Sequence, residues 1–147
     1  MKKKYLLLVV IALLLVTGCG KDKKLSCSKN LNTSGLDVVQ QVDINFNGSS
    51  SIKNMKMSFL VKLPDEYKPY INSYYSQFKN EYEKLYGKYE NVKVVSEKKS
   101  DTEITVDINF DYKNMTKKEK KTLGFGNGSE KYSINKSTLE RQGFYCD

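Results

Sequence analysis

The sequence predicts an α+β domain, an antiparallel sheet of about five strands packed on one long central helix, with two short helices towards the C-terminus. Three observations lead there. Apolar residues alternate with polar ones through two separated stretches, residues 38–63 and 104–112. Between those stretches lies one run with a helical period, and tight-turn residues separate the strand-like segments. Strands joined by short turns make antiparallel sheets, and one amphipathic helix has enough apolar surface to cover a face.

Taken in order, Lys24-Leu25-Ser26-Cys27 opens a first strand, and Asn32-Thr33-Ser34-Gly35 turns the chain. Val38, Val42, Ile44 and Phe46 then occupy one side of a second strand, with Val39, Gln41, Asp43 and Asn45 on the other. Period two with one polar face is the pattern of a half-buried strand. Asn47-Gly48 predicts a hairpin through a type I′ turn, because both residues tolerate positive φ. Met55, Met57, Phe59, Val61 and Leu63 alternate in the next strand and complete a three-stranded meander.

Pro64 ends that strand, and Pro69 suits the first turn of a helix, where no N–H is needed. Ile71, Tyr74, Tyr75, Phe78, Tyr82, Leu85 and Tyr89 recur at spacings of three and four, one face of a helix of about five turns closed near Gly87. Val92, Val94 and Val95 begin a short strand, residues 97–101 turn it, and Ile104, Val106, Ile108, Phe110 and Tyr112 form the other arm of a second hairpin. Residues 115–123 read as a short basic helix, 124–131 as a flexible loop, and 134–142 as a last helix stopped by Gly143.

The N-terminus carries a different signal. Lys2, Lys3 and Lys4 precede twelve nearly continuous apolar residues, Tyr5 to Val16, and then small residues. This is the layout of an export signal. The apolar run falls short of the roughly 20 residues a spanning helix needs. Val16-Thr17-Gly18-Cys19 resembles the bacterial lipobox, which implies cleavage before Cys19 and a diacylglyceryl thioether on its sulfur. The expected organisation is a signal peptide over 1–18, a lipidated tether over 19–24 and a single domain over 25–147. Two acyl chains, at about 0.8 kcal/mol per buried methylene, hold a protein on a membrane where one does not. The implied location is the outer face of a bacterial cell membrane.

Composition bounds the function. The 147 residues carry 25 basic and 17 acidic side chains, a net +8; without residues 1–18, which hold three lysines, 129 residues and a net +5 remain. All basic residues except Arg141 are lysine, whereas base-edge and bidentate phosphate recognition favour arginine, so nucleic acid is not an expected partner. There is no histidine, which removes the usual general base and the commonest metal ligand. No catalytic, cofactor or metal constellation is found, and the chain is not expected to be an enzyme. With Cys19 taken by lipid, Cys27 and Cys146 are left for one bridge in an oxidising compartment, two free thiols or an intermolecular bond being the alternative.

Several motifs invite a sharper reading. Asp43 to Gly48 matches the first half of a calcium loop, but position 12 of that frame is Asn54 rather than glutamate, and its flanks alternate as strands. Asp107, Asn109 and Asp111, with Glu103 and Thr105, line one face of a strand, where polar residues are normal. Gly124-Phe125-Gly126-Asn127-Gly128 lacks the lysine and hydroxyl of a phosphate loop. Seven of the eleven tyrosines fall between Tyr67 and Tyr89. Most suit a core stripe, and Tyr70, Tyr75 and Tyr86 are candidates for an aromatic platform that binds a sugar or peptide. Five lysines between Lys113 and Lys121, offset only by Glu119, could face an anionic membrane or wall polymer.

The stretch Ile134 to Phe144, with Leu139, Gln142, Gly143 and Phe144 as its most specific residues, together with the lipobox and the order of elements, is similar to the small YehR-like bacterial lipoproteins. That resemblance implies a membrane-anchored α+β domain and carries over no functional residues. The expected function is a binding or envelope-associated module, possible partners being an envelope polymer or protein. The alternatives are a structural or immune-exposed surface protein, or a histidine-free hydrolase in which Asp107 or Asp111 faces another acid.

Overall fold

The computed structural model describes residues 20–33, 35–126 and 128–147. The proposed signal peptide and Cys19 lie outside the described residues. Gly20 to Asp22 lie outside any strand, and the expected tether gives way to a strand two residues early, at Lys23.

Strands β1 (Lys23–Thr33), β2 (Leu36–Asn47) and β3 (Ser51–Lys62) form the expected meander. A short 3-10 helix, Asp65–Tyr70, contains Pro69 and leads into α1, Ile71–Tyr86. Strands β4 (Val92–Lys98) and β5 (Glu103–Phe110) form the second hairpin. Helices α2 (Lys117–Thr122) and α3 (Tyr132–Arg141) follow, and a two-residue strand β6 (Tyr145–Cys146) ends the chain.

All six strands join one antiparallel sheet in the order β4-β5-β3-β2-β1-β6. The sixth strand was not expected, because two residues carry no period. Equally, nothing local dictates that the hairpin docks through β5. The choice follows burial: Ile104, Val106, Ile108 and Phe110 are at most 1% exposed, while β4 carries Ser96, Glu97 and Lys98 and suits the edge.

The β2–β3 connection departs from the expected two-residue turn. Asn47 still pairs with Ser51, leaving the three residues Gly48 to Ser50 as the loop, and the register slips between Asn45 and Phe46. Gly48 alone of the Asn-Gly pair lies outside the strand, with φ +66°.

One face of the sheet is covered and the other is open. On the covered face the tyrosine-rich side of α1 packs over β4 and β5, with Tyr82 against Phe59 at 5.2 Å and Tyr86 against Phe110 at 6.0 Å. Helix α3 covers the β1 end, with Tyr132 edge-on to Phe46 at 5.4 Å. The expected stripe on α1 is corrected at two places, the first being Tyr89, which lies beyond the helix end at Tyr86. At the second, Leu85 is 50% exposed and Tyr86 packs instead, because from Tyr82 the 3.6-residue period is met by a step of four.

Both short helices end in the same way. Gly124 and Gly143 have φ of +83° and +85°, a conformation open to glycine. After α3 the Phe144 N–H donates to Leu139 O (3.1 Å) and the Gly143 N–H to Glu140 O (3.0 Å); after α2 the Phe125 N–H donates to Lys120 O (2.7 Å) and the Gly124 N–H to Lys121 O (3.2 Å). These are paired Schellman stops, each throwing a phenylalanine onto the core. The segment expected to be a flexible loop therefore begins with a packed residue: Phe125 is 5.4 Å from Phe110 and 5.9 Å from Tyr112, ring to ring. At the other end of α2, Thr116 and Glu119 close a capping box, a spacing legible in the sequence as Thr-x-x-Glu.

Candidate functional site

The helices leave a strip of the covered face without a roof. Helix α1 lies over β4 and β5 and α3 over β1, so the middle of β2 and β3 opens into a groove of about 420 Å³. Val42, Met55 and Met57 form its floor. Thr138, Leu139, Gln142 and Phe144 wall one side, and Phe125 and Ser129 close the end nearest α2. The floor residues are only half-buried, although they belong to the apolar face of central strands. Methionine side chains suit an adaptable apolar surface.

Gln40 also points to this face and donates from Nε2 to Met57 Sδ at 3.5 Å. Lys29 stands at the rim, its Nζ 3.2 Å from Gln142 O and 5.0 Å above the Phe144 ring. Tyr112 lines the groove too, and burial, aided by the neighbouring Glu130 carboxylate, pushes its phenol pKa up, so it remains a neutral hydroxyl. The residues most specific to the resemblance have a structural role here. Leu139 and Phe144 join the groove wall, and Gly143 sets the turn that places Phe144.

The open face carries a wider, shallow depression of about 820 Å³ bordered by polar side chains. Several of those groups already pair with neighbours. Asn45 donates to Asn54 (2.6 Å), Ser26 donates to Asp43 (2.7 Å), and Lys24 and Asp43 form an ion pair at 3.6 Å. Partial burial pushes the Asp43 pKa up, but the hydrogen bonds from Ser26 and Gln41 and the charge of Lys24 outweigh it, and the net shift is downward. We regard the groove as the better site, since it is apolar surface without a partner rather than polar surface with one.

The sequence candidates scatter. Asp43 and Asn45 face the open side of β2 with strand partners on both sides, so the calcium frame does not wrap. Asp107 is 3.0 Å from Lys56 and Glu103 is 3.4 Å from Lys62, while Asp111 accepts from Asn114 at 2.9 Å. Among the described residues no three His, Cys, Asp or Glu side chains gather as metal ligands. Tyr70 is 58% exposed just before α1, whereas Tyr75 donates to Ser96 O at 3.2 Å and Tyr86 packs on Tyr82 and Phe110. From Tyr70 to Tyr86 the helix rises roughly 24 Å, so these three do not share a surface. No signal in the sequence pointed to the groove, because its floor looks like ordinary strand core.

Cys27 and Cys146 are joined by a disulfide across the β1–β6 pair.

An antiparallel six-stranded sheet with its helices on one face defines an α+β protein with one solvated face. No family model matches the sequence, and no curated protein matches it. Two solved structures share the fold. An NMR structure of a protein from Streptococcus pneumoniae TIGR4 is 16% identical with a TM-score of 0.59, over 87% of this chain and 86% of that one. The NMR structure of the E. coli YehR protein is 10% identical with a TM-score of 0.54, over 85% of this chain and 91% of that one. The fold is therefore YehR-like. No helix among the described residues is long and apolar enough to cross a membrane.

Proposed function

We propose that this chain is a lipid-anchored, extracytoplasmic binding module. It is held to the outer face of a bacterial membrane through Cys19 and takes an amphiphilic ligand in the groove beside α3. The observation that carries the reading is the half-buried floor of Val42, Met55 and Met57 in the middle of a sheet whose two sides are roofed. An apolar moiety would rest on the methionines and a polar one would reach Lys29, Ser129 and Thr138 at the rim. Catalysis is not part of the reading, since the chain has no histidine and the carboxylates of β5 are engaged by lysines.

Two measurements test it. Intact-mass analysis of the exported native protein should find a diacylglyceryl group on Cys19, and Cys19→Ala should remain as precursor; an unmodified chain cut elsewhere removes the anchor. A fluorescent apolar probe should bind the folded protein, lose that binding in Met57→Trp, which fills the groove, and keep it in Tyr70→Ala. Equal binding by the native and Met57→Trp proteins would favour a surface protein without a ligand site.

A further inference from the structure

The charges of the domain are separated along the strand direction. At one end lie the start of β1, the β2–β3 loop, the start of β4, the end of β5, α2 and the start of α3. The segments 20–24, 46–54, 87–93, 110–123 and 129–132 at this end hold twelve lysines against five acids, a net +7. The other end, segments 30–33, 35–37, 60–72 and 96–105, holds four lysines against six acids, a net −2.

Tertiary contacts bring the basic segments together from distant parts of the chain. Lys53 pairs with Asp22 at 3.0 Å, the Lys113 N–H donates to Lys53 O at 2.9 Å, and the Tyr132 N–H donates to Ser49 O at 3.0 Å. Lys23 sits 5.3 Å over the Tyr132 ring, and Lys120 lies 4.0 Å over Tyr112 while also pairing with Glu130 at 3.8 Å. Lys113, Lys117, Lys118 and Lys121 are exposed, and none makes an ion pair among the described residues.

We infer that this basic pole is a docking surface for the anionic headgroups of the membrane that carries the anchor, so that the domain stands with its acidic pole outward. The inference rests on the anchored reading for its geometry. Cys19 is four residues from Lys23, and an extended chain of four residues spans at most about 14 Å. The tether therefore leaves at the basic pole and cannot hold it far beyond the Debye length of about 8 Å at physiological salt. At that range several lysines act together on a negatively charged surface. Compact ammonium charges without paired forks suit diffuse headgroup attraction better than recognition of one bound phosphate.

The test separates this surface from the anchor. The chain from residue 19 with Cys19→Ser retains all six strands and bears no acyl group, and circular dichroism establishes that it folds before binding is measured. It should sediment with phosphatidylcholine vesicles containing phosphatidylglycerol, not with phosphatidylcholine alone, and binding should fall with added salt. Replacing Lys113, Lys117, Lys118 and Lys121 by Glu should weaken binding at least tenfold. Replacing Lys62, Lys68, Lys98 and Lys99, the four lysines of the acidic pole, by Glu changes net charge equally and should weaken it much less. Circular dichroism checks that both variants fold. Equal losses in the two variants, binding indifferent to phosphatidylglycerol, or retention only on a soluble polyanion such as a glycerol-phosphate polymer would overturn the inference. None of these results depends on whether the native Cys19 is acylated, which its mass reports separately.

Discussion

Cys27 and Cys146 stand directly opposite each other across β1 and β6, with a Cα–Cα distance of 4.1 Å and a sequence separation of 119. The Asp147 N–H donates to Ser26 O, so the cysteines occupy the close, non-hydrogen-bonded position of the antiparallel pattern. That explains a separation slightly below the usual disulfide range of about 4.4 to 6.8 Å. The bridge staples a two-residue strand that could not hold itself and closes nearly the whole domain.

Removing it with Cys27→Ala and Cys146→Ala should lower unfolding stability by about 2–5 kcal/mol, because the unfolded chain regains the entropy of a very long loop. Urea unfolding of the oxidised protein and the double variant measures this. A loss below about 1 kcal/mol would mean that β6 is held by the Gly143 turn alone.

The aromatic contacts between α1 and the sheet should give graded losses. Phe110 is 1% exposed, and Phe110→Ala should cost about 3–5 kcal/mol. Phe78 and Tyr82 are half-buried, with one side of each ring against the sheet, so Phe78→Ala and Tyr82→Ala should cost less, about 1–3 kcal/mol. Chemical denaturation should rank Phe110 above both, and the reverse order would contradict the packing.

Gly143→Ala places a Cβ in a left-handed backbone position without any steric neighbour. The cost is therefore conformational, about 1 kcal/mol or slightly more. Gly124→Ala should behave alike, since it closes α2 by the same motif. Thermal melts of the two variants should fall together, and Gly143→Asn, which tolerates that backbone, should recover part of the loss.

Ser96 faces the covered side of β4, and its Oγ is buried with no hydrogen-bond partner among the described residues. Its backbone oxygen, by contrast, accepts from Tyr75. Ser96→Ala should raise stability by about 1 kcal/mol by removing an unsatisfied hydroxyl and keeping the Tyr75 contact. Destabilisation on denaturant titration would show that the hydroxyl has a partner.

Asp43 supplies an acid-dependent term. Its folded pKa lies below the ordinary carboxylate value of 3.8, so the stabilisation is fully present above that value and is lost as pH falls through the lower, folded pKa. Asp43→Asn should flatten the stability profile in that acid window, and Ser26→Ala should narrow the same difference. A profile identical to that of the native protein would rule out the hydrogen-bonded pair.

The strand and helix periods were readable from residue order alone. Alternation at Val38 to Leu63 and Ile104 to Tyr112 depends only on which side of a pleat each side chain takes, and the step of 3.6 along α1 only on helix geometry. The pairing of Cys27 with Cys146 could be argued by elimination. Which arm of the second hairpin meets β3 had only a partial signal: β5 keeps its apolar alternation to Phe110, whereas β4 turns polar at Ser96 and Lys98 and suits an edge. Local pattern could not reveal that Tyr145 and Cys146 form a strand, since their partner is β1, 117 or more residues away in sequence. The groove had no sequence signature, because Met55 and Met57 read as core and are left half-covered only by where α1 and α3 come to rest. The basic pole was legible in part. The lysines from Lys113 to Lys121 stand out as a run in the sequence, but nothing local joins them to Lys21, Lys53 and Lys131; antiparallel pairing gathers them at one end because it brings every second strand terminus to the same side.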